Sequence, residues 1–231
     1  MGSRIQYRRR AGIKGLIRKV IGIAAFATFF YLGCGDGIVG GGDNTKNPKD
    51  TTTNPTVPTP TKAIFKDNRD GQSYQKVTIG IQTWMSENLN YDIPDDTTDV
   101  CYRDSADYCV KYGRFYSWGA AMNACPAGWH LPDTAEWHLL INQVGGIEAA
   151  ATKLKATSGW RNDGNGTNDF GFSALPGGCC GSNGAGAGDF GYWWTATEYN
   201  DSTAWDMSMN GFAFGVYYPK RYLYSVRCVL D

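Results

Sequence analysis

Histidine is scarce in this sequence, since only His130 and His138 occur among its 231 residues. Cys-x-x-Cys pairs and a Gly-x-Ser-x-Gly segment are absent altogether. The shortage of histidine and of paired cysteines disfavours a zinc site, which usually takes closely spaced residues of these types as ligands. Without a Gly-x-Ser-x-Gly segment, a serine triad has no support in the sequence. We therefore expect that the protein is not an enzyme and that His130 packs or forms hydrogen bonds.

A hydrophobic run long enough to span a membrane is missing as well. The apolar run at residues 20–32 has 13 residues, whereas a spanning helix needs about 20. Seven Lys and Arg and no acidic residue precede Cys34, and Gly33 separates this cysteine from the apolar run. A basic start, a short apolar run and a small residue form the pattern of a secretory signal peptide. Residues 1–34 are therefore predicted to direct export.

The end of this segment, Leu32-Gly33-Cys34, resembles the cleavage box of bacterial lipoproteins. In that family the cysteine becomes the new N-terminus and carries acyl chains, so the resemblance implies that Cys34 is the lipid attachment site. Each buried methylene of an acyl chain contributes about 0.8 kcal/mol, and two or more chains hold a protein durably on a membrane. We expect a lipoprotein of the outer membrane or cell surface. The alternative is an uncleaved, short N-terminal anchor with an unmodified Cys34.

Two further regions follow the predicted signal. Residues 35–62 are rich in Gly, Pro and Thr and almost free of apolar side chains, which predicts a flexible, disordered linker. Residues 63–231 are long enough for one domain with a core, and they contain all eight tryptophans. This domain has 12 Lys and Arg against 19 Asp and Glu, a formal charge of −7. Because such a charge repels nucleic acid, we expect no nucleic-acid partner.

Hydrophobic periodicity predicts an α+β domain with one or two helices and short antiparallel strands. Asp133 and Glu136 form a capping box before a helix at residues 134–143, and a second helix is predicted at residues 147–156. Residues 92–107 are predicted to form an acidic loop. Two short strands should flank a turn at Gly80, and further strands are predicted at residues 192–197, 204–209, 211–217 and 225–230.

Six cysteines besides Cys34 lie in the predicted domain. An even number of cysteines in an exported domain indicates disulfides rather than a metal site. Cys101 and Cys109 are eight residues apart and could close a local hairpin. For the adjacent Cys179 and Cys180 a vicinal disulfide, free thiols or a crossed pairing all remain open.

Several motifs of residues 65–231 together resemble the Fibrobacter succinogenes major paralogous domain. The resemblance covers nearly the whole predicted domain, and the motifs follow one another in the order of that family. They are Trp84-Met-Ser-Glu-Asn-Leu-Asn-Tyr91, Cys101-Tyr102, Tyr112-Gly-Arg-Phe-Tyr116, Cys125-Pro-Ala-Gly-Trp-His-Leu-Pro132, Glu136-Trp137, Gly171-Phe-Ser-Ala-Leu-Pro-Gly-Gly178, Trp193-Trp194 and Val226-Arg-Cys228.

That family is similar to a branch of the C-type-lectin-like fold, near the formylglycine-generating, sulfatase-modifying proteins. Residues 131–137 are similar to the start of a helix in those proteins, and residues 226–228 are similar to their last strand. The resemblance implies a C-type-lectin-like domain with a disulfide between Cys125 and Cys228. It also implies a surface or secreted lipoprotein, in a family without an established biochemical activity.

Calcium is the one cofactor for which the sequence offers candidate ligands. Asp163, Asn165 and Asp169 alternate with small residues, and hard cations take oxygen ligands from tight loops of this kind. The glycine spacing and the missing distal glutamate exclude an EF-hand. The alternative is an Asx-rich turn, because Asn, Asp and Gly favour turns without any metal.

Aromatic residues of the loop-rich half are candidates for ligand binding. Trp160, Trp193, Trp194 and Tyr199 could stack on sugar rings, because lectin-like folds place their ligands in this region. The alternative for Trp193 and Trp194 is that they lie on opposite faces of a strand, so that at least one is core. We expect a surface binding or adhesion module that contacts glycans or surface proteins. A structural envelope protein without a small ligand is the second hypothesis, and an enzyme on the same fold is the third.

Overall fold

Short β-strands in two sheets, with helices beside them, make up the described part of the chain. The computed structural model describes residues 62–94, 99–179, 184–210 and 213–231, all within one unit that spans Thr53–Asp231. The predicted signal peptide, the lipid attachment at Cys34 and the predicted linker as far as residue 61 lie outside the described residues.

Eleven strands and four α-helices are found in the described residues. The strands are β1 (Lys62–Lys66), β2 (Ser73–Ile79), β3 (Gln82–Met85), β4 (Asp99–Val100), β5 (Phe115–Tyr116), β6 (Trp129–His130), β7 (Gly191–Asn200), β8 (Thr203–Met209), β9 (Ala213–Pro219), β10 (Tyr224–Ser225) and β11 (Val229–Leu230). The helices are α1 (Ala106–Tyr112), α2 (Trp118–Ala121), α3 (Thr134–Gln143) and α4 (Ile147–Lys153).

The strands of the described part form a five-stranded and a six-stranded sheet. The first sheet has the order β1-β2-β3-β11-β6, and the second has the order β4-β5-β10-β7-β8-β9. Strand pairs are antiparallel apart from β7 and β10, which run parallel. Together with the helices, this arrangement confirms the predicted α+β class.

Helix α3 begins and ends as its capping signals predict. The Asp133 side chain accepts a hydrogen bond from the backbone N–H of Glu136, and the Glu136 carboxylate accepts one from the backbone N–H of Asp133. This reciprocal pair satisfies backbone donors that a helix N-terminus otherwise leaves free. The apolar face of the helix buries Trp137, Leu140 and Ile141. Local sequence therefore determines both the start of α3 and the side that faces the core.

The core consists of two clusters of buried side chains. The first joins the apolar faces of α3 and α4 to both sheets and includes Trp84, Trp137 and Trp193. The second includes Trp194 and Tyr224, together with residues around α2. Both faces of the central strand β7 are therefore covered, and neither of its two tryptophans reaches the surface.

A fully buried arginine, Arg227, joins segments that are far apart in sequence. Its Nη2 and Nε donate to Asn88 Oδ1 at 2.8 and 3.2 Å, and Trp193 Nε1 donates to the same oxygen at 2.8 Å. Its Nη1 donates to the carbonyl of Phe172, and Nη2 also reaches the carbonyl of Ser173 at 3.3 Å. Burial lowers the pKa of Arg227 to about 9. Arg227, Asn88, Trp193 and the segment of Phe172 and Ser173 come from four different family-like motifs. These motifs thus meet in one buried hydrogen-bond network, where their role is structural.

Several of the predicted elements differ from the structure, among them the second helix, which ends at Lys153 and not at residue 156. The predicted acidic loop at residues 92–107 runs into α1, which raises the helix number above the expected one or two. The predicted strand at residues 225–230 is divided into β10 and β11, which belong to different sheets. The division occurs because the chain crosses from the second sheet to the first between these strands. Lys62, which was assigned to the linker, begins β1.

Candidate functional site

Disulfides join the cysteines that the sequence analysis paired. Cys101 is bonded to Cys109 in α1, so this bond closes a turn into a helix and not the predicted hairpin, and Cys125 is bonded to Cys228 across a separation of 103 residues. Cys179 is disulfide-bonded as well. Cys180 lies outside the described residues, so its predicted pairing is not placed. The predicted disulfide-stabilised domain is therefore confirmed for two of its bonds.

The two adjacent tryptophans of β7 cannot stack on a surface ligand. Trp193 and Trp194 both have an exposed fraction of 0%. The indole N–H of Trp194 donates to the carbonyl of Tyr116 at 2.9 Å, and that of Trp193 is held by Asn88. The predicted ligand contact of these two residues is corrected accordingly. The alternating sides of a strand place the two rings in different clusters, and both rings are closed to solvent.

Tyr199 is the predicted ligand-binding residue with the most exposed ring. It stacks on Tyr217 with ring centroids 4.0 Å apart and ring planes 5° from parallel. Trp205, on the intervening strand β8, meets both rings edge-on at 5.9 and 5.5 Å. Tyr199 is 50% exposed and Tyr217 is 45% exposed. These three residues, called the aromatic cluster below, form an apolar surface at one end of β7, β8 and β9.

The strand register brings this cluster together. Trp205 and Tyr217 are direct partners in the antiparallel pair β8–β9, so their side chains lie on the same face of the sheet. Tyr199 reaches that face after an irregularity in β7 between Trp194 and Asn200. Gly215 lies beside Trp205, and a Cβ added there would come within 3.6 Å of the indole ring. The missing side chain at this position leaves part of the Trp205 ring uncovered.

A second candidate surface is a cleft of about 260 Å³ in the loop region. Trp160, which was predicted to bind ligand, lines this cleft with an exposed fraction of only 6%. One face of its indole ring is occupied, because Lys155 Nζ lies 4.6 Å from the ring centroid. Its Nε1 donates to the carbonyl of Ala174 at 3.1 Å. Trp160 therefore holds Lys155 in place and does not offer that face to a sugar.

The candidate calcium ligands lie in a turn beside this cleft. Asp163, Asn165 and Asp169 are exposed. The side-chain oxygen of Asn165 accepts a hydrogen bond from the backbone N–H of Trp160 at 3.0 Å, five residues earlier in the chain. Asp163 adopts a left-handed backbone with φ of 57°. In the described ranges no group of three or more His, Cys, Asp or Glu side chains is placed to hold a metal ion.

His130 forms hydrogen bonds on both sides of its ring. Its Nδ1 lies 2.6 Å from Asp231 Oδ1, and its Nε2 lies 2.9 Å from Glu136 Oε1. Burial alone would lower the pKa of His130, but the two carboxylates outweigh that effect and raise it. The imidazole thus connects β6, the first turn of α3 and the residue after β11.

Asp206 is a buried carboxyl that the sequence analysis did not single out. It lies on β8, and its Oδ2 accepts a hydrogen bond from Ser208 Oγ at 2.6 Å. Its Oδ1 has no hydrogen-bond partner among the described residues. Burial raises the pKa of Asp206 to about 7, although Ser208 and backbone hydrogen bonds act in the opposite direction. Because Asp206 is fully buried, its carboxyl is closed to a surface ligand.

The fold and its sites define an α+β domain of two sheets, cross-linked by disulfides, with aromatic and polar surfaces built from strand ends and loops. The family model described as Fibrobacter succinogenes major domain matches residues 77–230. The chain therefore belongs to this family, as its motifs predicted. Neither a curated protein nor a solved structure matches it. No helix in the described part is long and apolar enough to cross a membrane.

Proposed function

We propose that the protein is a binding module of the outer membrane or cell surface that contacts glycans through the aromatic cluster. The observation that carries this proposal is the exposure of Tyr199 and Tyr217 above Trp205. Flat, rigid rings provide a large contact area at low entropic cost, and the apolar faces of sugar rings match them. The C-type-lectin-like fold implied by the motifs is part of this proposal.

The proposed module is a lipoprotein attached to the membrane through Cys34. Disulfides in the described domain support export, because such bonds persist in oxidising compartments. We expect the mature protein to begin at Cys34 and to carry acyl chains there, and mass spectrometry of the protein purified from membranes measures this directly. A mature N-terminus at any other residue, without acylation, would contradict the lipid anchor.

Glycan binding is tested on an array with the purified protein. We expect the double substitution Tyr199→Ala and Tyr217→Ala to weaken binding by roughly tenfold or more, the change that about 1.4 kcal/mol produces. The stacked pair supplies the exposed ring area, so its removal takes away the proposed contact surface. Tyr108→Ala is a matched control, because Tyr108 also stacks on a second tyrosine but lies on α1.

Three outcomes of the array separate the hypotheses. Equal losses in the double variant and the control would show that the aromatic cluster is not the site. An array without signal for the wild-type protein would favour a structural envelope component, the second hypothesis. Turnover of an arrayed glycan would favour an enzyme, although the proposal is for a binding protein without catalysis.

A further inference from the structure

The loop-region cleft contains charged groups that are not part of the aromatic cluster. It is lined by residues from the loop after α4, from the segment before β7 and from the end of β8. Those that carry polar groups or hold them in place are Lys155, Trp160, Arg161, Asn162, Asp189 and Asn210.

Lys155 is the most unusual member of this group because it is 6% exposed. Its ammonium donates to the carbonyl of Asn210 at 2.9 Å and lies over the Trp160 ring. No carboxylate of the described residues lies within ion-pair distance of it. An ammonium has three donor positions, and a buried charge without a counter-charge is costly. Burial accordingly lowers the pKa of Lys155.

Arg161 adds a second cation to the cleft, with Asp189 as its partner. Arg161 Nη1 lies 3.3 Å from one carboxylate oxygen of Asp189, and Asn162 Nδ2 lies 3.5 Å from the other. Both contacts are long, and Arg161 is 67% exposed at its side chain. The cleft thus has two cations and one anion, inside a domain whose formal charge is −7. Because Asp189 is paired with Arg161, the Lys155 ammonium is the charge of the lining that has no counter-charge among the described residues, and it favours an anionic ligand.

We propose that the cleft binds the carboxylate of an acidic sugar, such as a hexuronate, with Lys155 as its ion-pair partner. The proposal rests on the proposed glycan binding and adds a second site to it. A hexuronate combines one negative charge with several hydroxyl groups. The Lys155 ammonium and the Arg161 guanidinium attract the negative charge of the hexuronate. The Asp189 carboxylate can accept hydrogen bonds from its hydroxyl groups, and the Asn162 amide can donate hydrogen bonds to them. An acidic peptide would meet the cations equally well, but its side chains offer few hydroxyl groups to Asp189 and Asn162.

Calorimetric titration of the purified protein with D-glucuronate tests this inference. We expect saturable binding that is at least roughly tenfold weaker in Lys155→Met, which keeps the aliphatic stem but removes the charge. Lys66→Met is the matched control, because Lys66 is an exposed lysine of β1 outside the cleft. Methyl glucoside, with hydroxyls but no charge, and acetate, with charge but no hydroxyls, should both bind more weakly than glucuronate.

A measurement on the wild-type protein avoids any dependence on whether Lys155→Met folds. The indole N–H resonance of Trp160 should shift on addition of glucuronate, since its ring contacts the ammonium that binds the carboxylate. Equal affinity for methyl glucoside would overturn recognition of the anion, and equal affinity for acetate would overturn recognition of the sugar. If glucuronate produces neither heat nor a shift while the Tyr199 and Tyr217 substitutions still abolish array binding, this inference fails and the proposed function stands.

Discussion

Replacing both Cys125 and Cys228 by alanine is expected to lower the free energy of unfolding by about 5 kcal/mol. The bond closes a loop of 103 residues that includes α3, α4 and all strands from β6 to β10. In the chain-entropy description, a disulfide acts by restricting the unfolded chain, and its effect grows with the logarithm of the loop length. Urea denaturation of the oxidised wild-type protein and of the double variant measures the difference.

The second disulfide provides a matched control for this prediction. Cys101 and Cys109 are separated by 8 residues, so the same description gives a loss of only about 2.5 kcal/mol for their double alanine variant. The ratio of the two losses therefore tests whether loop closure determines the stabilisation. Similar losses in both double variants would show instead that local packing around each sulfur pair dominates.

The stability of the domain should fall as the pH rises from about 4 to about 7, and Asp206 is the expected cause. Its pKa is raised from 3.8 to about 7 in the folded protein, because burial penalises the charged carboxylate. Below pH 4 the carboxyl is protonated in both states and costs no stability. Between the two pKa values only the unfolded chain releases the proton, so unfolding becomes easier. Over about three pH units, at about 1.4 kcal/mol per unit, the free energy of unfolding therefore falls by roughly 4 kcal/mol.

Asp206→Asn should remove this pH dependence, because the amide does not titrate. Urea midpoints of wild type and variant, measured from pH 3.5 to pH 8, should converge at the acidic end and separate progressively towards neutral pH. His130 also has a raised pKa and therefore the same sign of effect, but it is present in both proteins and cancels in the difference. Parallel curves for the two proteins would show that Asp206 ionises normally in the folded state.

Local signals in the sequence predicted the elements that depend on neighbouring residues. The capping box predicted α3 to the residue, and the turn at Gly80 correctly separates β2 from β3. Helix α1 has only two buried residues, Cys109 and Tyr112, so its apolar periodicity was too short to detect. The disulfide to Cys101 and the packing of Tyr102 against Tyr108 hold this helix in place, and both contacts involve residues outside the helix, which its periodicity does not describe.

The candidate sites depended on contacts that a single sequence reveals only in part. Tyr199 was found by composition, whereas Trp205 and Tyr217 were missed because their proximity requires the register of β8 and β9. The alternation of a strand correctly places Trp193 and Trp194 on opposite faces. It could not show that both faces are covered, since that follows from the packing of distant elements. Lys155 was missed because its burial arises from residues far along the chain.

The edge position of β1 affects how the domain would respond to a mechanical load. Lys62 pairs with Val77 at the open end of the β1–β2 hairpin, and most of β1 is exposed. A force pulling on Lys62 away from the sheet would break the β1–β2 hydrogen bonds one after another, starting from that end. The rest of the same sheet includes β11, which follows directly after Cys228 and its bond to Cys125. The first strand would therefore peel away and re-anneal while the cross-linked remainder of the domain stays closed.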